Sequence, residues 1–87
     1  MRVYFKASGR VQGVGFRWFV RDSALELKLS GWVRNLPDGD VEGEAQGPAE
    51  KLDRLLAEIK SGHDWARVTE LTHQEIPEAA GENFEIR

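Results

Sequence analysis

The stretch "VYFKASGRVQGVGFRWFV", residues 3–20, changes its hydrophobic period in the middle and so indicates how the fold begins. Apolar and polar side chains alternate through "VYFKAS", which is typical of a half-buried strand. From Phe16 onward the apolar side chains recur at helical spacing, so we expect a helix that runs to about Leu29. A glycine-rich loop, "GRVQGVGFR" at residues 9–17, joins the two elements.

The rest of the chain predicts more strands and a second helix. The segments at residues 31–36 and 41–46 are expected to form two strands, joined by the turn "PDGD". Pro48 fits the first turn of a helix that carries a stripe of leucines. Residues 66–76 predict a fourth strand, and residues 83–87 are the candidate for a short fifth one.

This order, β-α-β-β-α-β, predicts an α+β, ferredoxin-like sandwich that forms a single domain over residues 1–87. The expected sheet is antiparallel, and both helices lie on one of its faces. If the third strand pairs with the first as well as the second, the first two strands end at the same edge. Arg17, in the first turn of the first helix, and Asn35, near the end of the second strand, should then come close together.

The loop and the helix that follows it predict an anion-binding site. Glycine tolerates positive φ, so several backbone N–H groups can turn toward one point, and a helix N-terminus adds partial positive charge. Arg17 would add a planar, always-charged fork. The loop matches neither the P-loop nor the dinucleotide fingerprint. A glycine-rich turn that only allows a tight connection remains the alternative at this point.

Composition limits the classes of partner. The 87 residues include no cysteine, which excludes a disulfide framework and thiolate catalysis, and the net charge of −3 disfavours nucleic acid. There is no long apolar run and no basic-then-apolar leader, so we expect no membrane partner and a cytoplasmic location. Histidines and carboxylates show no metal-ligand spacing, so neither a metal nor another cofactor is expected.

Two motifs resemble the acylphosphatase family. Residues 9–17 match its signature G-R-V-Q-G-V-x-F-R, "GWVRN" at residues 31–35 matches its motif G-W-V-[KR]-N, and the similarity extends over nearly the whole chain. The resemblance implies metal-independent hydrolysis of acyl phosphates to a carboxylate and inorganic phosphate. It implies that Arg17 holds the phosphate and that Asn35 positions the attacking water. The backbone of the expected phosphate-binding loop is that of Arg10, Val11, Gln12, Gly13, Val14, Gly15 and Phe16.

The residue types of this site suit an acyl phosphate. A carboxylate leaving group has a conjugate acid with a pKa of about 4, so it departs without a general acid. An arginine, an asparagine and N–H groups can bind the phosphate, orient water and stabilise charge, which is most of what phosphoryl transfer requires. Inorganic phosphate or sulfate should compete with the substrate. We expect the protein to be a monomer. The alternative is a non-catalytic module that binds a phosphorylated ligand, or an accessory domain handling carbamoyl phosphate.

The histidines and tryptophans give no separate functional signal. A solvated loop position is expected for His63 and a surface position for His73. Packing in the core or at its rim, rather than stacking on nucleic-acid bases, is expected for Trp18, Trp32 and Trp65.

Overall fold

The computed structural model describes residues 1–87 and contains five strands and two helices. In chain order these are β1 (Arg2–Arg10), α1 (Phe16–Glu26), β2 (Ser30–Asn35), β3 (Val41–Gln46), α2 (Ala49–Ser61), β4 (Arg67–Ile76) and β5 (Phe84–Ile86). The predicted order of six elements is confirmed, and β5 is the short fifth strand.

The strands form one sheet in the order β4-β1-β3-β2-β5. β1 is antiparallel to both β3 and β4, and β3 is antiparallel to β2, as predicted. β5 pairs in parallel with β2, so the complete sheet is mixed, whereas the sequence predicted an antiparallel sheet. Because β3 separates β1 from β2, those two strands run in the same direction. The register aligns Asn35 with Val41 and Val41 with Ala7, which brings the ends of β1 and β2 to one edge.

Both helices cover the same face of the sheet, as the sequence predicts. α1 packs on β2 and β5, α2 packs on β4 and β1, and the helices contact each other. The core between the layers is built from aliphatic and aromatic side chains, the largest of which are Phe5, Phe16, Leu29, Leu52, Leu55 and Ile59. Neither helix has the length and apolar character that crossing a membrane would need.

α1 ends at Glu26, before the predicted end near Leu29. Lys28 adopts a φ of 58°, in the left-handed region, and its N–H donates to the carbonyl oxygen of Leu25 at 3.0 Å. The N–H of Leu29 donates to the carbonyl oxygen of Ala24 at 2.9 Å. This pair of bonds is a Schellman motif, which stops the helix and turns the buried Leu29 into the core.

The face of the sheet away from the helices carries polar side chains that bond across the strands. The Tyr4 hydroxyl donates to Glu42 at 2.7 Å, and the Arg34 guanidinium donates to the same carboxylate at 2.7 Å. Trp32 lies on this face, with Arg34 and Arg87 placed 5.3 and 5.0 Å from its ring centroid. The buried Trp32 therefore packs at the rim, against arginines rather than against the core.

Candidate active site

The loop between β1 and α1 is anchored at both ends and open in the middle. Val11 and Phe16 are fully buried, and Val14 packs partly against the core. Gly13 and Gly15 have φ values of 74° and 75°, in the left-handed region that glycine adopts without strain. A Cβ at either position would meet nothing within 4 Å, so the loop needs these glycines for backbone conformation and not for space.

The loop leaves a run of backbone donors free. Gly15 is the N-cap of α1, no side chain caps the helix, and its first turn has no acidic residue. Among the backbone–backbone hydrogen bonds of loops and caps, the first backbone donor after β1 is the N–H of Phe19, which donates to the carbonyl oxygen of Gly15 at 3.1 Å. The N–H groups of residues 11–18 therefore have no backbone acceptor. Such groups at a helix N-terminus form a concavity that attracts anions.

Gln12 fixes the loop beside the end of β2. Its side-chain nitrogen donates to the carbonyl oxygens of Leu36 at 2.8 Å and Asp40 at 2.9 Å, at the two ends of the turn between β2 and β3. Leu36 directly follows Asn35, so these bonds bring the loop next to the predicted water-positioning residue. From the sequence, only the backbone of Gln12 was assigned to the phosphate-binding loop, and this role of its side chain was not predicted. Its amide, with two donors in a loop beside a predicted turn, was the available signal.

Arg17 and Asn35 lie on neighbouring elements at this edge. Arg17 is the second residue of α1, is half-buried and forms no ion pair. Asn35 is the last residue of β2, and its Oδ1 is buried without a hydrogen-bond partner. Buried polar atoms are usually satisfied, so this oxygen is a candidate for contact with a small ligand. No hydrogen bond joins Asn35 to Arg17, although α1 packs directly on β2.

His63 does not occupy the solvated position that the sequence predicts. Its ring packs against Phe16 and Phe19 on α1, with centroid distances of 6.1 and 5.2 Å. Its Nδ1 accepts a hydrogen bond from the N–H of Trp65 at 3.2 Å, and its Nε2 is buried without a partner. The prediction was wrong because it rested on the chain neighbours of His63. The aromatic side chains that contact its ring, Phe16 and Phe19, come from α1, which is distant in the sequence.

Two of the three tryptophans lie at the surface, outside the core. Trp18 is 55% exposed and Trp65 is 74% exposed, so neither contributes to the core. His73 is exposed on β4, as predicted. No group of three or more histidines, cysteines, aspartates and glutamates is arranged to hold a metal ion. The chemistry available at the edge is thus anion binding by N–H groups and Arg17, together with the amide of Asn35.

The comparisons with known proteins agree on one family. The sequence model described as "Acylphosphatase" matches residues 3–86. The chain is 50% identical to an acylphosphatase of Syntrophotalea carbinolica over 88 aligned positions, which cover 100% of this chain and 96% of the relative.

Solved structures show the same relationship. The crystal structure of acylphosphatase from Bacillus subtilis superposes with a TM-score of 0.93 at 39% identity, covering 99% of this chain and 97% of that one. The crystal structure of T. kodakarensis HypF superposes with a TM-score of 0.82 at 33% identity, and there the match covers 99% of this chain but 12% of HypF.

Proposed function

Because the chain belongs to the acylphosphatase family and is a hydrolase that acts on acyl phosphates, we propose that its loop and Arg17 bind the phosphate while Asn35 orients water. The observation that carries this proposal is the buried, unpartnered Oδ1 of Asn35, next to the turn to which Gln12 ties the loop. The family relationship favours this hydrolase over a module that only binds a phosphorylated ligand.

The phosphate is held by the free N–H groups of the loop and by Arg17. The N–H groups of residues 11–18 lack backbone acceptors, so they can donate to phosphate oxygens without breaking existing bonds. Arg17 forms no ion pair with a carboxylate of the protein, so its guanidinium can donate to the same anion. Donors arranged in advance stabilise the charge on the transferring phosphoryl group, where they contribute most to rate.

Asn35 acts on the water and not on the phosphate. An amide oxygen accepts a hydrogen bond from water without bringing negative charge to the phosphate. The water oxygen attacks phosphorus, the bond between phosphorus and the acyl oxygen breaks, and its electron pair leaves on the carboxylate. One proton of the water stays on the phosphate product and the other is released.

This division of roles needs neither a metal nor a general acid. The carboxylate leaving group is stable as an anion near neutral pH, so no proton has to be delivered to it. His63 is packed against α1, and its Nδ1 already accepts a hydrogen bond from the N–H of Trp65. We further propose that phosphate and sulfate compete with the substrate and that the protein acts as a monomer in the cytoplasm.

Hydrolysis of acetyl phosphate by dialysed protein in EDTA tests the proposal. The wild-type protein should retain its full rate, since no step of the proposed mechanism uses a metal ion. Arg17→Gln should fold and lose about a hundredfold or more in kcat/KM, the scale expected for a main transition-state donor. Arg54→Gln is the matched control, because Arg54 is an exposed arginine on α2. An absolute requirement for added Mg²⁺ or Zn²⁺, or normal turnover by Arg17→Gln, would contradict the assignment.

A further inference from the structure

We propose that a surface cavity at the start of β4 binds the acyl part of the substrate and favours acyl groups that carry a second negative charge. The inference rests on the function proposed above, since it extends the phosphate site to the leaving group. The cavity, called the acyl cavity below, has a volume of about 430 Å³ and is lined by Arg10, Asp64, Trp65, Ala66 and Arg67.

The acyl cavity adjoins the phosphate loop directly. Arg10 lines the cavity and ends β1, and the next residue, Val11, begins the run of free N–H groups. Consecutive Cα atoms are about 3.8 Å apart, so the two sites share a border. The opposite wall is tied to the same loop, because His63 packs on Phe16 and holds the N–H of Trp65.

The cavity lies on the side of the loop away from Asn35. Gln12 joins the loop to the turn between β2 and β3, which is the side of Asn35. Arg10 on β1 and Arg67 on β4 are paired positions. In the strand order β4 is the edge strand next to β1, on the side of β1 opposite β3 and β2. In-line phosphoryl transfer places the attacking water and the leaving group on opposite sides of phosphorus. Because the attacking water lies at Asn35, the acyl leaving group lies on the opposite side of phosphorus, which is the side of the acyl cavity.

The charges of the cavity indicate which acyl groups it prefers. Neither Arg10 nor Arg67 forms an ion pair, and Asp64 forms none with them. Two free guanidinium groups against one carboxylate leave a net positive charge, and a guanidinium matches the geometry of a carboxylate. The ring of Trp65, 74% exposed, offers an apolar surface to the carbon chain between the two anionic ends.

A matched pair of substrates tests the inference. Acetyl phosphate and succinyl phosphate share the reacting group, and succinyl phosphate adds a terminal carboxylate. The measurement is the ratio of kcat/KM for succinyl phosphate to that for acetyl phosphate. Arg67→Gln should lower this ratio about fivefold, and Asp64→Asn should raise it about two- to threefold, as expected for solvent-accessible charge pairs. Arg54→Gln removes a positive charge from the exposed part of α2 and should leave the ratio unchanged.

The outcomes separate this inference from the proposed function. If the wild-type protein hydrolyses neither substrate, the proposed function is wrong. If it hydrolyses both, but the ratio is the same in wild type, Arg67→Gln and Asp64→Asn, the acyl cavity is wrong and the proposed function stands. Circular dichroism confirms that each variant is folded. The effect of Arg67→Gln should also shrink in 0.5 M KCl, because salt screens exposed charges.

Discussion

Lys28 holds a backbone conformation that is unfavourable for any residue with a Cβ. Its φ of 58° is required by the Schellman motif that ends α1 and directs Leu29 into the core. Lys28→Gly should therefore raise the free energy of unfolding by about 1 kcal/mol, since glycine adopts this conformation without strain. Lys28→Ala is the control, because alanine keeps the Cβ and should give no such gain. Urea denaturation measures both, and equal stability of the two variants would contradict this account of the turn.

The end of α1 also shows why the helix length predicted from the sequence is too long. Leu27 and Leu29 continue the apolar pattern, and no glycine marks the stop. The lysine at the left-handed position is tolerated because two backbone hydrogen bonds and the burial of Leu29 compensate for it. The burial of Leu29 depends on the tertiary structure, so the local sequence pattern does not contain the contribution that selects this stop.

Strands β1, β2 and β3 are joined on the open face of the sheet by a hydrogen-bonded carboxylate. The hydrogen bond from Tyr4 lowers the pKa of Glu42 below its usual value of 4.5, and the hydrogen bond and charge of Arg34 lower it further against the effect of burial. Burial, followed by the bond to Glu42, raises the pKa of Tyr4 to about 12. Protonated Tyr4 and ionised Glu42 are thus the forms that the folded protein favours.

This pairing predicts a loss of stability in acid. Because the pKa of Glu42 is lower in the folded state, its contribution is present above pH 4.5 and is lost as the pH falls through the folded value. Near pH 7, Glu42→Gln should cost about 1–2 kcal/mol of unfolding free energy. The difference in unfolding free energy between Glu42→Gln and wild type should narrow as the pH falls below 4.5 and through the lowered folded pKa, because the wild-type carboxylate takes up a proton over this range. Glu82→Gln, at an exposed position, serves as the control. A gap that stays constant from pH 7 to pH 3 would contradict the pairing.

Most elements were predictable because their hydrophobic periods are regular, although the alternation in β4 is less clean. β3 has the predicted bounds, and β1, β2 and β4 differ from prediction by their terminal residues. The parallel pairing of β5 with β2 was not specified, because a three-residue strand carries no signal for its partner. The packing of His63 on α1 was missed for a related reason, since it joins residues that are far apart in the chain.

For the molecule as a whole, the sequence predicts which strand ends meet at the candidate site. It does not predict the hydrogen bonds that join the elements there. The strand order brings the ends of β1 and β2 to one edge, as the β-α-β-β-α-β pattern predicts. The bonds from Gln12 to Leu36 and Asp40 determine how close the loop comes to Asn35, and they depend on the three-dimensional arrangement. The acyl cavity likewise needs the pairing of β1 with β4, which places Arg10 beside Arg67.

Comparison of phosphate binding with turnover tests the division between Arg17 and Asn35 most directly. The measurement is the inhibition constant of inorganic phosphate together with kcat for acetyl phosphate, in wild type, Asn35→Ala and Arg17→Gln. Asn35→Ala should keep the inhibition constant within about twofold while kcat falls about a hundredfold, because it removes an interaction made chiefly in the transition state. Arg17→Gln should weaken phosphate binding and turnover together. If Asn35→Ala weakens phosphate binding as much as Arg17→Gln does, the assignment of water to Asn35 and of phosphate to Arg17 is contradicted.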